Sequence, residues 1–157
     1  MVRDEEQGAA SGAAAIEARL RALAVREGMT LARFAARGEA DRTVLRSTLA
    51  RRFEPGRAYT EREVNQILRD WLCGVGAMLE TDHVNLRRLL VDTALLWRRD
   101  DCSEYRLGSA APALDGPPWN TLDPDRIAAD ARAGLAARRA ARREAWANRA
   151  DGPAVRR

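Results

Sequence analysis

Apolar positions recur at spacings of three and four along most of the chain, the signature of helices that bury one face. Ser11 can cap a helix over Ala13 to Glu27, with Ile16, Leu20, Leu23 and Ala24 inward and Arg19, Arg21 and Arg26 outside. Gly28 stops it. Thr30 opens a shorter helix through Arg37 with Leu31, Phe34 and Ala35 inward, and Gly38 closes that one. Asp41 is then expected to cap a helix over Arg42 to Phe53, whose stripe is Val44, Leu45, Thr48 and Leu49. Beyond the Glu54-Pro55-Gly56 turn and a short extended piece at Arg57 to Tyr59, Thr60-Glu61-Arg62-Glu63 is a capping box. The Thr60 hydroxyl and the Glu63 carboxylate can each satisfy a free backbone N–H at the start of a helix. That helix carries Val64, Ile67, Leu68 and Trp71 on one face.

The stretch from His83 to Leu107 organises the middle of the chain. Leu86, Leu89, Leu90, Thr93 and Ala94 line one face of a helix over His83 to Leu95, and Asn85, Arg88 and Asp92 fall on the other. Leu95 to Arg99 and Glu104 to Leu107 read as two short strands around the polar turn Asp100 to Ser103. Leu72 to Thr81, with Gly74 and Gly76 around Val75, Met78 and Leu79, is a longer connection than a tight helix-turn-helix needs. It can widen the angle between the helices or add a short helical turn. A support helix, a basic helix and an Arg-bearing hairpin in that order predict a winged helix-turn-helix. Thr30 to Leu49 offers a rival outline, helix, Gly38, helix, which ordinary helix packing also produces.

Both ends differ from this core. Met1 to Gly12 is charged and aperiodic and is expected to be a disordered tail. Gly108 to Leu122 contains Pro112, Pro117 and Pro118 and reads as a linker or strap, with Trp119 able to anchor it. Asp123 caps, Pro124 takes the first helical position, and one long helix runs to about Arg149. From Arg126 onward there are nine Arg against three acids. The expected organisation is a tail (1–12), an N-terminal helical extension (13–40), a winged-helix-like domain (41–107), a linker (108–122), a basic helix (123–150) and a tail (151–157). The expected fold class is mainly α with a small β-hairpin.

A chain of 157 residues suits one domain with extensions. With aromatics at 5%, the core must be built from Leu, Val, Ala and four Trp. The net charge is +4 and every basic side chain is Arg. The Arg fork suits phosphate, but a Lys-free, Ala-rich composition first of all marks a GC-rich coding sequence. Cys73 and Cys102 lie far apart behind a start that lacks a secretory pattern, so reduced thiols in a bacterial cytoplasm are expected. No apolar run approaches the ~20 residues a membrane helix needs. Chemistry is poorly supported: His83 is the only His, and Cys73, His83 and Cys102 lack a Cys-x-x-Cys spacing for metal. Gly74-Val75-Gly76 follows a helix, whereas a nucleotide loop follows a strand. No pair of carboxylates sits in an apolar setting. Neither an enzyme nor a metal or cofactor protein is expected.

Between Arg52 and Leu107 the chain resembles a known family. The residues that carry the likeness are Phe53, Pro55, Gly56, Arg57, Tyr59, Thr60, Glu61, Glu63, Val64 and Asn65, then Leu86, Arg87, Arg88, Leu90, Val91, Asp92, Leu95, Leu96, Arg98 and Tyr105. In order and spacing they are similar to a bacterial family of uncharacterised small domains, described as winged-helix-like. Its members occur alone or joined to regulator-type DNA-binding domains, so the resemblance implies a transcription-related role for about residues 41 to 107. The chain departs from the family pattern in its longer Leu72 to Thr81 connection and in the helix that occupies Gly28 to Ala40.

In the winged-helix reading the helix after Thr60 supports, His83 to Leu95 enters the major groove of duplex DNA, and Leu95 to Leu107 is the wing. Asn85 and Arg88 have the chemistry to read base edges, while Arg57, Arg98 and Arg99 would reach phosphates. Arg138, Arg139 and Arg142 of the tail helix would bind backbone without sequence preference. Thr60, Glu63, Arg87, Asp92 and Tyr105 are assigned structural roles, with Arg87 pairing to a carboxylate such as Glu63 or Asp92. The tail helix can instead pack through Ala128, Ala131, Leu135 and Ala136, on the domain or on a second copy, or lie solvated; the N-terminal helices offer another dimer contact. The alternative function is a protein-interaction module that uses Trp97, Trp119 and the tail helix without binding DNA.

Overall fold

The computed structural model describes residues 2–112 and 119–150, with side chains over 11–112 and 119–149. The expected 151–157 tail lies outside the described residues. The chain is mainly helical, with one two-stranded antiparallel hairpin. Helix α1, Val2–Ala24, starts well before the expected Ala13. The stretch expected to be disordered is therefore helical from Val2. The many Ala of the stretch outweigh Gly8 and Gly12 in helix propensity. Gly28, at φ +69°, reverses the chain after α1, a conformation that Gly adopts at no steric cost.

Helix α2, Leu31–Ala35, begins where Thr30 Oγ1 accepts from the Arg33 N–H at 3.2 Å. It is only five residues long, so Leu31 and Phe34 are half-buried and Ala35 is exposed rather than inward. Helix α3, Glu39–Ala50, is capped by Gly38 and not by Asp41. Asp41 lies in its first turn, buried, held by Arg19 at 2.6 Å and by Arg37. Burial pushes its carboxyl up, but the hydrogen bonds from Arg19 and Arg37 outweigh that and hold it below the ordinary range.

Helix α4, Glu61–Cys73, shows the expected capping box: Glu63 Oε2 accepts from Thr60 N at 2.8 Å, and Thr60 Oγ1 accepts from Glu63 N at 3.3 Å. Val64, Leu68 and Trp71 are buried along one face. The following connection contains a short 3-10 turn, Val75–Met78. It is fastened to the end of α1 by the Met29–Leu79 bridge, with Met29 N donating to Met78 O at 3.1 Å and Glu80 N to Met29 O at 2.8 Å. Gly76 lies flat on the Trp71 ring, where a Cβ would come within 2.3 Å of a ring carbon.

Helix α5, His83–Asp92, is capped by Asp82, which accepts from Asn85 N at 2.7 Å. It ends three residues before the expected Leu95, because Ala94 turns to φ +54° and sends Leu95 and Leu96 into the core. Thr93 and Ala94 are consequently exposed, where the helical pattern placed them inward. Strands β1, Leu96–Arg98, and β2, Tyr105–Leu107, pair Leu96 with Leu107, Trp97 with Arg106 and Arg98 with Tyr105. Tyr59 adds an extended edge, exchanging both backbone hydrogen bonds with Tyr105 at 2.8 Å. At the hairpin tip Asp101 Oδ1 accepts from the Ser103 hydroxyl and N–H, and these bonds hold its carboxyl below the usual range.

Helix α6, Pro124–Ala150, begins as expected at Asp123, which accepts from Arg126 N at 3.1 Å. Its first half belongs to the core: Ile127, Ala128 and Ala131 are buried, against α1 and the 3-10 turn. Arg132 donates to the carbonyls of Ala24 (3.2 Å), Gly74 (2.6 Å) and Val75 (3.3 Å), and Arg52 pairs with Asp125. From Ala136 to Arg149 every residue is exposed. Ahead of α6, Trp119 is buried, the anchor expected of that segment; residues 113–118 lie outside the described ones. One hydrophobic cluster draws on α1, α3, α4, α5, the hairpin and α6 together.

Candidate nucleic-acid interface

The inner side of α5 is fixed by Leu86 and Leu90, both buried, and by Arg87. The Arg87 side chain is 13% exposed; it pairs with Glu61 at 2.9 Å and donates to Asn65 Oδ1. Its guanidinium also lies 5.8 Å from the centre of the Tyr105 ring. One side chain thus ties α5, α4 and β2 together. Its carboxylate partner is Glu61, where the sequence pointed to a carboxylate such as Glu63 or Asp92. Glu63 is held by Thr60 and by Arg57 at 3.3 Å, and Asp92 sits exposed at the end of α5. The Thr60 backbone N–H, then its hydroxyl, hold the Glu63 carboxyl below its ordinary range. Glu61 and Asn65, four residues apart on α4, were missed as the partners of Arg87; that spacing on one helix face is the only signal they give. Tyr105 is buried, and burial pushes its phenol up.

The outer side of α5 presents Asn85, Arg88 and Asp92, all exposed. Asn85 Nδ2 donates to Asp82 at 3.3 Å. The Arg88 side chain makes no hydrogen bond or ion pair with any described residue. At the base of α5, Arg69 Nη2 lies 3.1 Å from His83 Nε2. Cys73, His83 and Cys102 belong to no metal-holding cluster among the described residues.

Through α5 and β1 the chain leads from Arg88 to the hairpin, where Arg98 is exposed without an ion pair among the described residues. Its neighbours are engaged. Arg99 pairs with Glu104 at 3.6 Å, and Arg106 pairs with the same Glu104 and donates to Gly56 O at 3.3 Å. Arg57 pairs with Glu54 at 2.8 Å and stacks 4.6 Å over the Tyr59 ring. Hairpin residues 96–107 balance three Arg against Asp100, Asp101 and Glu104.

The tail arginines sit on a different element. Arg139 pairs with Glu27 at 2.9 Å, while Arg138 and Arg142 are exposed without partners among the described residues. Helix α6 rests on α1 and the 3-10 turn, whereas α5 rests on α4 and β1. Arg88 lies on α5 and Arg98 on the strand it contacts, whereas Arg138 and Arg142 lie on the exposed half of α6. No helix among the described residues is long and apolar enough to cross a membrane.

No curated protein and no solved structure matches the chain. Residues 30–107, which hold α2 through the hairpin and with them α5, Arg88 and Arg98, match the model of a family described as an uncharacterized protein conserved in bacteria (DUF2087).

Proposed function

We propose that the chain binds duplex DNA in transcriptional control, with α5 in the major groove and the β1–β2 hairpin as a wing on the phosphates. The order α3, extended Tyr59, α4, α5, hairpin, with Tyr59 bonded to the returning strand, supports a winged helix-turn-helix. The observation that carries the reading is Arg88. It is a cation without a partner among the described residues, on the outward face of a helix whose inner face is fixed by two Leu and by Arg87. A guanidinium so placed can meet guanine O6 and N7 with both prongs and gives up no internal pair in doing so. Arg98 is equally free to meet a phosphate. Asn85, Arg57 and Arg99 contribute less, because each must first leave a carboxylate.

The test is binding of the full-length chain to labelled random duplex DNA across a range of salt. Affinity should fall as salt rises, and Arg88→Ala or Arg98→Ala should weaken it several-fold. An Arg138→Ala, Arg142→Ala double variant should reduce the salt slope without changing any preference among duplex sequences. Full-length protein that shows no salt-dependent binding excludes the reading.

A second reading, a protein-interaction module, is favoured by Trp97, which is 48% exposed on a hairpin of balanced charge. Trp119 does not serve that reading, since it is buried. In that case Arg88→Ala changes nothing in the DNA assay.

A further inference from the structure

The distal half of α6 has two unlike faces. Over residues 136–149 a helical repeat of about 100° per residue puts Arg138, Arg139, Arg142, Arg143 and Arg149 within an arc of about 140°, with Trp146 among them. The other side carries Ala137, Ala140, Ala141 and Asn148 with Glu144, the one acid of the segment. Nearer the domain, the stripe that becomes Arg-rich holds Ala128 and Ala131, both buried. The face that packs on the core therefore changes to Arg and Trp where the helix leaves it.

Most of these cations are uncommitted. Arg139 pairs with Glu27 at 2.9 Å and Arg149 donates to the Ala145 carbonyl at 3.2 Å, while Arg138, Arg142 and Arg143 pair with no carboxylate among the described residues. Trp146 stands 75% exposed in their midst, with Arg142 and Arg143 one turn before it and Arg149 one turn after. A groove of about 430 Å³ continues the surface to the end of α1, where Arg26 joins Arg139 and Arg143 on the lining and Arg139 holds Glu27.

Clustered cations attract a polyanion, and the indole narrows which one. A helix that lies in a membrane surface carries its aromatic residues opposite its cations, whereas this indole lies between guanidiniums and the opposite face is mostly Ala. A second copy would set Arg against Arg. A duplex keeps its base faces inside the stack, and an acidic peptide has none. An unpaired strand offers phosphates to Arg and base faces to Trp side by side.

We propose that this face binds single-stranded nucleic acid, its phosphates on Arg138, Arg142 and Arg143 and an unpaired base stacked on Trp146. The site is independent of α5 and stands whether or not that helix binds duplex DNA.

The test titrates the full-length chain into a short fluorescein-labelled oligothymidylate and follows its anisotropy. Binding should weaken as salt rises. Trp146→Ala should weaken it at least fivefold and Trp146→Phe much less, because a phenyl ring still stacks. Affinity for a duplex of the same length should not change with Trp146→Ala. An Arg142→Gln, Arg143→Gln double variant should weaken strand binding at least fivefold, and Arg88→Ala should leave it unchanged. Polyglutamate and phosphatidylglycerol vesicles should each compete at least fivefold less well than unlabelled strand. Trp146 is exposed, so its replacement should leave the fold intact, which far-UV circular dichroism verifies. The proposal is overturned if the strand does not bind, if Trp146→Ala binds it as the parent does, or if Trp146→Ala weakens duplex binding equally. Equal competition by polyglutamate, which would mark an acidic protein partner, or by vesicles, which would mark a membrane surface, also overturns it. Loss of strand binding on Arg88→Ala would place the strand on α5 and overturn it too.

Discussion

Asp41 shows what a single residue can hide. A short acidic residue just before an apolar run has the pattern of a helix cap, and the sequence reads it so. The structure instead assigns it to two arginines, one of them 22 positions away. Nothing local announces a carboxylate claimed from that distance, so the pair was illegible in the chain. Its folded carboxyl titrates below its unfolded one, so the stabilisation is complete above the unfolded value of about 4 and disappears as pH falls through the lower folded value. Asp41→Asn should therefore destabilise the protein by about 2 kcal/mol at neutral pH, and by progressively less towards pH 2. Urea unfolding at both ends of that range measures it; equal losses at the two pH values would contradict the ion-pair account. Arg87 was legible as to kind but not partner, for the same reason: Glu61 and Asn65 reach it only once α4 and α5 are packed.

At the scale of elements, the sequence is most informative where the determining signal is local. The capping box of α4, the polar hairpin tip and the Asp123-Pro124 start of α6 each depend on residues within four positions, and each forms as expected. Thr60→Ala should cost about 1 kcal/mol, read from the urea midpoint. Misreadings arise where tertiary packing ends a helix. The three- and four-residue rhythm continues through Thr93 and Ala94, yet the chain leaves α5 at Asp92 so that Leu95 and Leu96 can enter the core. The long connection after α4 follows the same logic. Its Gly76 has no side chain because the Trp71 ring occupies the space, so Gly76→Ala should cost about 1–3 kcal/mol by overpacking. A cost within a few tenths of zero would mean that the ring is free to move.

For the whole molecule, α6 joins the ends of the chain to the centre. Arg132 satisfies carbonyls of α1 and of the connection, and Ile127, Ala128 and Ala131 are buried with them. Arg132→Met should cost about 2–3 kcal/mol, since it leaves part-buried carbonyls without a donor. A chain cut after Leu107 should lose cooperative unfolding, although the hairpin there looks like a natural end in sequence. This integration was illegible because an Ala- and Arg-rich helix shows only a weak apolar face. What remains outside the core includes the outward side of α5 with the hairpin, where arginines and acids balance, and the Arg-rich distal half of α6. Recording backbone amide NMR signals of the full-length protein while random duplex DNA is added, at moderate salt, distinguishes them most directly. The account predicts that residues 83–107 shift first and furthest, centred on Arg88 and Arg98, with smaller changes along 136–149. Shifts confined to α6, or none at all, would contradict it.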